Sequence, residues 1–104
     1  MRERDIERHL VRRVKQLGGE VRKVQWAGRA SAPDRVVMLP PQHWDATGWR
    51  PSTVWVELKS PETIKTFPAD ARERAQVREH QRMRAVGQRV EVIGTIEQVE
   101  ELLA

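Results

Sequence analysis

Apolar residues recur at helical spacing over residues 3–17. Ile6, Leu10, Val14 and Leu17 fall on one stripe, and Gly18-Gly19 interrupts it. The pattern predicts an amphipathic helix that stops at the glycine pair. Residues 21–26 and 35–39 are short apolar runs that read as strands. Between them, residues 28–32 form a small-residue loop, and Pro33 biases Ala32 towards extended backbone. Residues 53–59 carry the clearest strand pattern. Alternation puts Val54, Val56 and Leu58 on one face and Trp55, Glu57 and Lys59 on the other. The proline-rich stretch 40–52, with Trp44 and Trp49, reads as a long loop or hairpin tip.

Residues 60–67 read as a further loop. A second helix is predicted over 69–86, with Pro68 near its first turn and Gly87 after its end. Residues 89–93 read as a strand. Thr95 and Gln98 are placed to form a capping box for a last helix bearing Ile96, Val99, Leu102 and Leu103. The order is therefore αβββαβα. With no repeat and no linker, the expectation is a single α/β domain over residues 1–104.

Composition narrows the class. A chain of 104 residues can bury one modest core. The net charge of +4 comes mostly from arginine, which suits bidentate phosphate contacts, although a solvated basic surface has the same balance. There is no cysteine, so disulfides and thiolate metal sites are excluded and a reducing cytoplasm fits. No apolar run approaches the roughly 20 residues of a membrane span.

The chemistry concentrates at Pro33-Asp34 and Glu57-Leu58-Lys59. Glu57 and Lys59 lie two apart on a strand, so they share a face with Cβ atoms about 7 Å apart. Such a pair on a surface is worth under about 1 kcal/mol. This pair ends a β-branched run that reads as central, where a carboxylate needs a partner, and a hard divalent cation is one. Asp34, opening the neighbouring strand, is a second candidate ligand, and the backbone carbonyl of Leu58 a third. The Lys59 ammonium can then position an attacking water or neutralise phosphate charge.

Glu7 shares a stripe with Leu10, Val11 and Val14. It either turns to solvent at the edge or faces the Asp34/Glu57 site, as an outer metal ligand or through water. Gln76 and His80 lie at i and i+4 on the second helix, followed by Met83 and Gly87. This is either a half-exposed face or a polar pair packed towards the sheet. His9 and His43 have no metal-ligand spacing and read as surface residues.

Taken together, these residues resemble the PD-(D/E)XK nuclease superfamily, and more narrowly its VRR-NUC branch, the virus-type replication–repair nuclease domain. The matching pieces are Glu7, Pro33-Asp34-Arg35, Glu57-Leu58-Lys59, and Gln76 with His80 ahead of Gly87. The resemblance implies a mixed central sheet flanked by helices and a Mg²⁺- or Mn²⁺-dependent deoxyribonuclease. It assigns Asp34 and Glu57 as metal ligands and Lys59 as the catalytic lysine, with Glu7 and Gln76 supporting. Stand-alone phage and bacterial members resemble Holliday-junction resolvases and pair as homodimers. Two departures stand out: Ser31 where the family often has glycine, and His80 where related resolvases often have tyrosine.

The expected activity is metal-assisted hydrolysis of branched DNA during replication, repair or recombination. Arg29 and Arg35 flank Asp34 and are the first candidates for gripping phosphates. Arg72, with Arg74, Arg78 and Arg82, forms either a second basic surface or a solvated helix face. Trp44 and Trp49 could stack on unpaired bases or pack against the domain or a second subunit. The competing class is a non-catalytic DNA-binding or assembly module on the same fold.

Overall fold

The first helix, α1 (Glu3–Gln16), buries Ile6, Leu10 and Val14 and leaves its arginines outside. The Asp5 carboxylate accepts the Arg2 N–H at 2.7 Å near its start, and Gly18, at φ 84°, turns the chain away after its end. The structure, a computed structural model, describes residues 1–41 and 52–104. Trp44, Trp49 and His43, together with most of the proline-rich stretch, lie outside the described residues.

Among the described residues, four strands follow one another across a single sheet in the order β1 (Glu20–Lys23), β2 (Arg35–Met38), β3 (Thr53–Leu58), β4 (Val90–Ile93). The first three are antiparallel neighbours, and β4 runs parallel to β3. A parallel neighbour demands a crossover. The segment carrying the short α2 (Pro61–Ile64) and the long α3 (Ala71–Ala85) supplies it, and α4 (Ile96–Leu103) closes the chain.

The two faces of the sheet differ in chemistry. Val37, Val54, Val56, Leu58 and Ile93 meet Ile6, Leu10 and Val14 of α1 and Val99 and Leu102 of α4 in one apolar core. Each fully buried aliphatic side chain contributes roughly 1.5–3 kcal/mol there. The residues that α3 buries are mostly polar: Glu73, Gln76, Glu79 and His80, with Met83. Side-chain hydrogen bonds, rather than an apolar stripe, therefore tie α3 to the polar face of β3. This asymmetry builds the site.

Expectation and structure differ in four places. The first strand spans Glu20–Lys23 rather than residues 21–26, although the Val24 N–H still reaches the Asp34 carbonyl at 3.0 Å. Within the expected loop 60–67, Ser60 caps a turn of helix by accepting the Thr63 N–H at 3.0 Å. The second long helix starts at Ala71 rather than 69, because the Asp70 carboxylate accepts the Glu73 N–H at 2.8 Å. His9 is not a free surface residue. It meets Glu100 at 2.8 Å, and with Arg13 it ties α1 to α4. The capping box at Thr95 and Gln98 forms as the pattern predicts.

Candidate active site

The register of β2 against β3 places Asp34. Arg35 pairs with Val56, so the next residue back along β2, Asp34, stands opposite Glu57. Opposed residues of an antiparallel pair have Cβ atoms about 4.5–5.5 Å apart on one face. Each carboxyl lies close enough to act on the other's proton affinity. Asp34 Oδ2 also accepts the Leu58 N–H at 2.7 Å, which fixes the carboxylate against the end of β3.

The turn before Asp34 is tightly held. Pro33 is buried, and Ser31 has φ 75°, in the left-handed region that favours glycine. The chain keeps the glycine-type turn with a serine in it.

Lys59 follows Glu57 by two residues on the same face and is buried. Its ammonium donates to Gln76 Oε1 at 2.9 Å, meets Glu73 Oε2 at 3.3 Å, and lies 4.9 Å from the centre of the Phe67 ring. Glu57 Oε1 lies 3.3 Å from His80 Nε2. Thus α3 contacts both members of the Glu57/Lys59 pair, through His80 for the carboxylate and Gln76 for the ammonium.

Burial dominates the electrostatics. The Asp34 carboxyl is pushed up to about 7, first by desolvation, then by the hydrogen bond and charge of Glu57; the Leu58 N–H and Lys59 act in the opposite sense. Glu57 is also raised by desolvation, against lowering from Asp34, Lys59 and Arg72. His80 is lowered to about 4 by desolvation, Arg84 and Lys59, so its contact with Glu57 at neutral pH is a hydrogen bond and not an ion pair.

The other expected site residues distribute unevenly. Glu7 pairs with Arg35, whose guanidinium also donates to the Asp34 carbonyl at 2.8 Å. Glu3, one turn earlier on α1 and exposed, is also linked electrostatically to Asp34. Its carboxyl is raised by desolvation and then by the charge of Asp34, while Lys59, Arg35 and Arg72 lower it. Arg72 is exposed and its charge acts on both Glu3 and Glu57. Arg29 donates to Glu79 Oε1 at 2.6 Å.

The pattern of the sequence passed over three acidic residues. Glu3 lies on the same α1 stripe as Glu7, at i−4, and was open to the same argument. Glu73 is buried beside Lys59, and Asp70-Ala71-Arg72-Glu73 is a capping motif legible in the chain. Glu79 is covered by the groups it binds. It accepts from Trp26 Nε1 at 2.8 Å, from Arg29, and from Arg82 at 2.9 Å. It thereby pins the β1–β2 connection to α3, a long-range contact that no local pattern encodes.

Among the described residues, no three His, Cys, Asp or Glu side chains form a ready-made metal cage. The donor set nevertheless suits a hard cation. Half-buried Asp34 and buried Glu57, set opposite one another, both carry a raised proton affinity, and a divalent cation can replace a proton there. Magnesium keeps several waters and needs only one or two carboxylates from a protein.

No family model matches the sequence. The chain is 37% identical over 93 residues to "Putative nuclease p44" of Acyrthosiphon pisum secondary endosymbiont phage 1, covering 89% of this chain and 83% of that protein. Among solved structures, a VRR_NUC domain superposes with a TM-score of 0.72 and 32% identity, covering 97% of this chain and 92% of that one. The mixed sheet with paired acids on adjoining strands defines an α/β unit of the PD-(D/E)XK nuclease kind. Within that class, the chain belongs to the VRR-NUC family.

Proposed function

We propose that this protein is a Mg²⁺- or Mn²⁺-dependent DNA nuclease that hydrolyses phosphodiesters in branched DNA. The observation that carries the reading is the placement of Asp34 opposite Glu57, with Lys59 two residues on along the same face. Two hard oxygen donors and one ammonium, gathered at the end of a β-strand, match the needs of phosphate hydrolysis.

Asp34, Glu57 and the Leu58 backbone carbonyl would hold the cation, with Glu3 adding charge from α1 and Glu7 a turn beyond. When bound, such a cation polarises the scissile phosphate and lowers the pKa of water. Lys59 holds the attacking water or the developing charge, and Gln76 orients Lys59. His80, neutral at physiological pH, orients Glu57. Arg72 is exposed and available to flanking phosphates, Arg29 is exposed but paired with Glu79, and Arg35 is engaged with Glu7 and the Asp34 carbonyl. Phosphate contacts of this kind make binding fall steeply with salt.

The family resemblance supports a substrate preference for branched DNA. Stand-alone members resemble junction resolvases, so a homodimer with two sites facing a four-way junction in the cytoplasm is the arrangement proposed here. A panel of junction, flap, duplex and single-stranded DNA, cut with Mg²⁺ or Mn²⁺, tests the reading. Preferential junction cleavage supports it. Metal-independent binding without cleavage of any substrate favours a non-catalytic module.

A further inference from the structure

Lys59 is caged from three sides, and only one wall of the cage, Gln76, is accounted for by the reading above. An ammonium has three N–H donors and no acceptor. Gln76 Oε1 takes one at 2.9 Å, and Glu73 Oε2 lies 3.3 Å from the same nitrogen. The Phe67 ring lies beneath, 4.9 Å from nitrogen to centroid. Lys59 and Glu73 are both buried, at 4% and 5% exposure.

Glu73 is itself anchored. Its other carboxylate oxygen, Oε1, accepts the Ala69 N–H at 2.7 Å, and its own N–H donates to the Asp70 cap at 2.8 Å. One side chain thus grips the lysine and, through Ala69, the end of the segment that carries Phe67. A buried charge pair costs desolvation, so it needs good geometry and extra hydrogen bonds to persist. Glu73 has both, at a position one turn from Gln76.

We infer that Glu73 is a positioning residue for Lys59. It fixes the ammonium against α3 through one N–H while Gln76 takes a second, and the third N–H is left for water or phosphate at the Asp34/Glu57 pair. Glu73 also sets the Phe67 wall through Ala69. A buried lysine with Gln76 alone would sample several rotamers, and small misplacements of a catalytic group are costly to rate.

The activity arm of the test rests on the nuclease reading; the spectroscopic arm does not. In metal-free, DNA-free protein, the ¹⁵Nζ resonance of Lys59 is followed by NMR in wild type, Glu73→Gln and Glu73→Ala, with thermal melts confirming the fold. The ammonium protons of Lys59 exchange slowly in wild type and about tenfold or more faster in Glu73→Ala. Glu73→Gln, which keeps an acceptor oxygen and the shape of the side chain, recovers part of the protection. In cleavage assays kcat falls about tenfold or more in Glu73→Ala, with KM for DNA and the half-saturating Mg²⁺ within about twofold of wild type. If Glu73→Ala does not fold, Glu73→Gln carries the comparison against wild type in both arms. Unchanged ammonium exchange in the variants overturns the inference, whether or not the wild type cuts DNA. So does an unchanged kcat where wild type is active and Lys59→Ala is not. A wild type that cuts no DNA while the exchange behaves as stated removes the nuclease reading and leaves the positioning role standing.

Discussion

Asp34 and Glu57 face one another across the β2–β3 pair, one residue beyond the paired positions Arg35 and Val56, and the Leu58 N–H fixes Asp34 Oδ2 there at 2.7 Å. A half-buried and a buried carboxyl held this close resist double ionisation. Without a cation the pair therefore retains a proton where isolated carboxyls would have lost theirs. That gives the metal-free protein an unusual dependence on pH.

Asp34 ordinarily ionises near 3.8 but in the fold is pushed up to about 7. Between those values the folded state binds more protons than the unfolded chain, so this carboxyl's contribution to stability is lost as pH rises through the window. Glu57, also raised, acts with the same sign. His80 acts oppositely. Its pKa drops from 6.5 to about 4, so its contribution is lost as pH falls through that range. The two effects oppose one another below pH 6.5, and above it the carboxylate effect stands alone. Melting of metal-free protein followed by circular dichroism should show a midpoint that declines from about pH 4 to about pH 8, more shallowly below pH 6.5 where His80 opposes the carboxyls. Asp34→Asn, which keeps an acceptor for the Leu58 N–H, should abolish the decline, and saturating Mg²⁺ should shrink it. A wild-type midpoint that rises above pH 6.5 contradicts the account.

Glu3 and Glu7 separate by function. Glu3 feels the charge of Asp34 and Lys59, whereas Glu7 is engaged with Arg35. Glu3→Gln should weaken Mg²⁺ binding by about tenfold, because a carboxylate near the cation is lost. Glu7→Gln should leave Mg²⁺ affinity within about twofold and lower stability by about 1 kcal/mol through the weakened ion pair. Calorimetric titration with Mg²⁺ and chemical denaturation of the two variants distinguish these outcomes. The reverse ranking in affinity would return the outer role to Glu7.

Glu79 holds Trp26, Arg29 and Arg82 on one carboxylate. Glu79→Ala should cost about 2 kcal/mol, since charge-assisted hydrogen bonds are lost and the β1–β2 connection is released from α3. Urea denaturation gives the magnitude. Trp26, whose ring lies 5.8 Å from that of Trp55, should report the release as a change in tryptophan fluorescence before unfolding. A variant with wild-type stability and an unchanged spectrum removes Glu79 as the anchor of that connection.

Ser31 occupies left-handed backbone at φ 75° just before the Pro33-Asp34 turn. Ser31→Gly should raise stability by about 0.5 kcal/mol, the relieved strain being partly offset by the greater freedom of glycine in the unfolded chain. Ser31→Val should lower it by more than about 1 kcal/mol, because a β-branched residue fits that region poorly. Equal stability of the glycine and valine variants would show that the turn is not strained.

Much of this architecture is written in local pattern. The Ile6, Leu10, Val14 stripe, the alternation through Val54, Val56 and Leu58, and the Thr95–Gln98 capping box each describe short-range geometry, and the element order follows from them. The same alternation brings Glu57 and Lys59 to one face, so the centre of the candidate site is legible too. What escapes is set by tertiary contact. The partner of Glu7 is Arg35, 28 residues away in sequence, and the partners of Glu79 include Trp26, 53 residues away. Helix α3 also defeats an amphipathicity argument. It buries a stripe that is polar, because it packs against the Glu57/Lys59 face of β3 rather than the apolar core. The shift of its start to Ala71 follows from Asp70, whose capping role competes with Pro68 as a start signal.

The central claim is that Asp34, Glu57 and Lys59 form a metal-dependent phosphodiesterase centre. The most direct measurement is cleavage of a labelled four-way junction by wild type and Lys59→Ala, with and without Mg²⁺ or Mn²⁺, alongside DNA binding by both proteins. The account predicts cutting by the wild type only when metal is present. It also predicts loss of about 100-fold or more in rate for Lys59→Ala, with DNA affinity within about threefold. Undiminished cutting by Lys59→Ala, or cutting by the wild type in excess chelator, would contradict it.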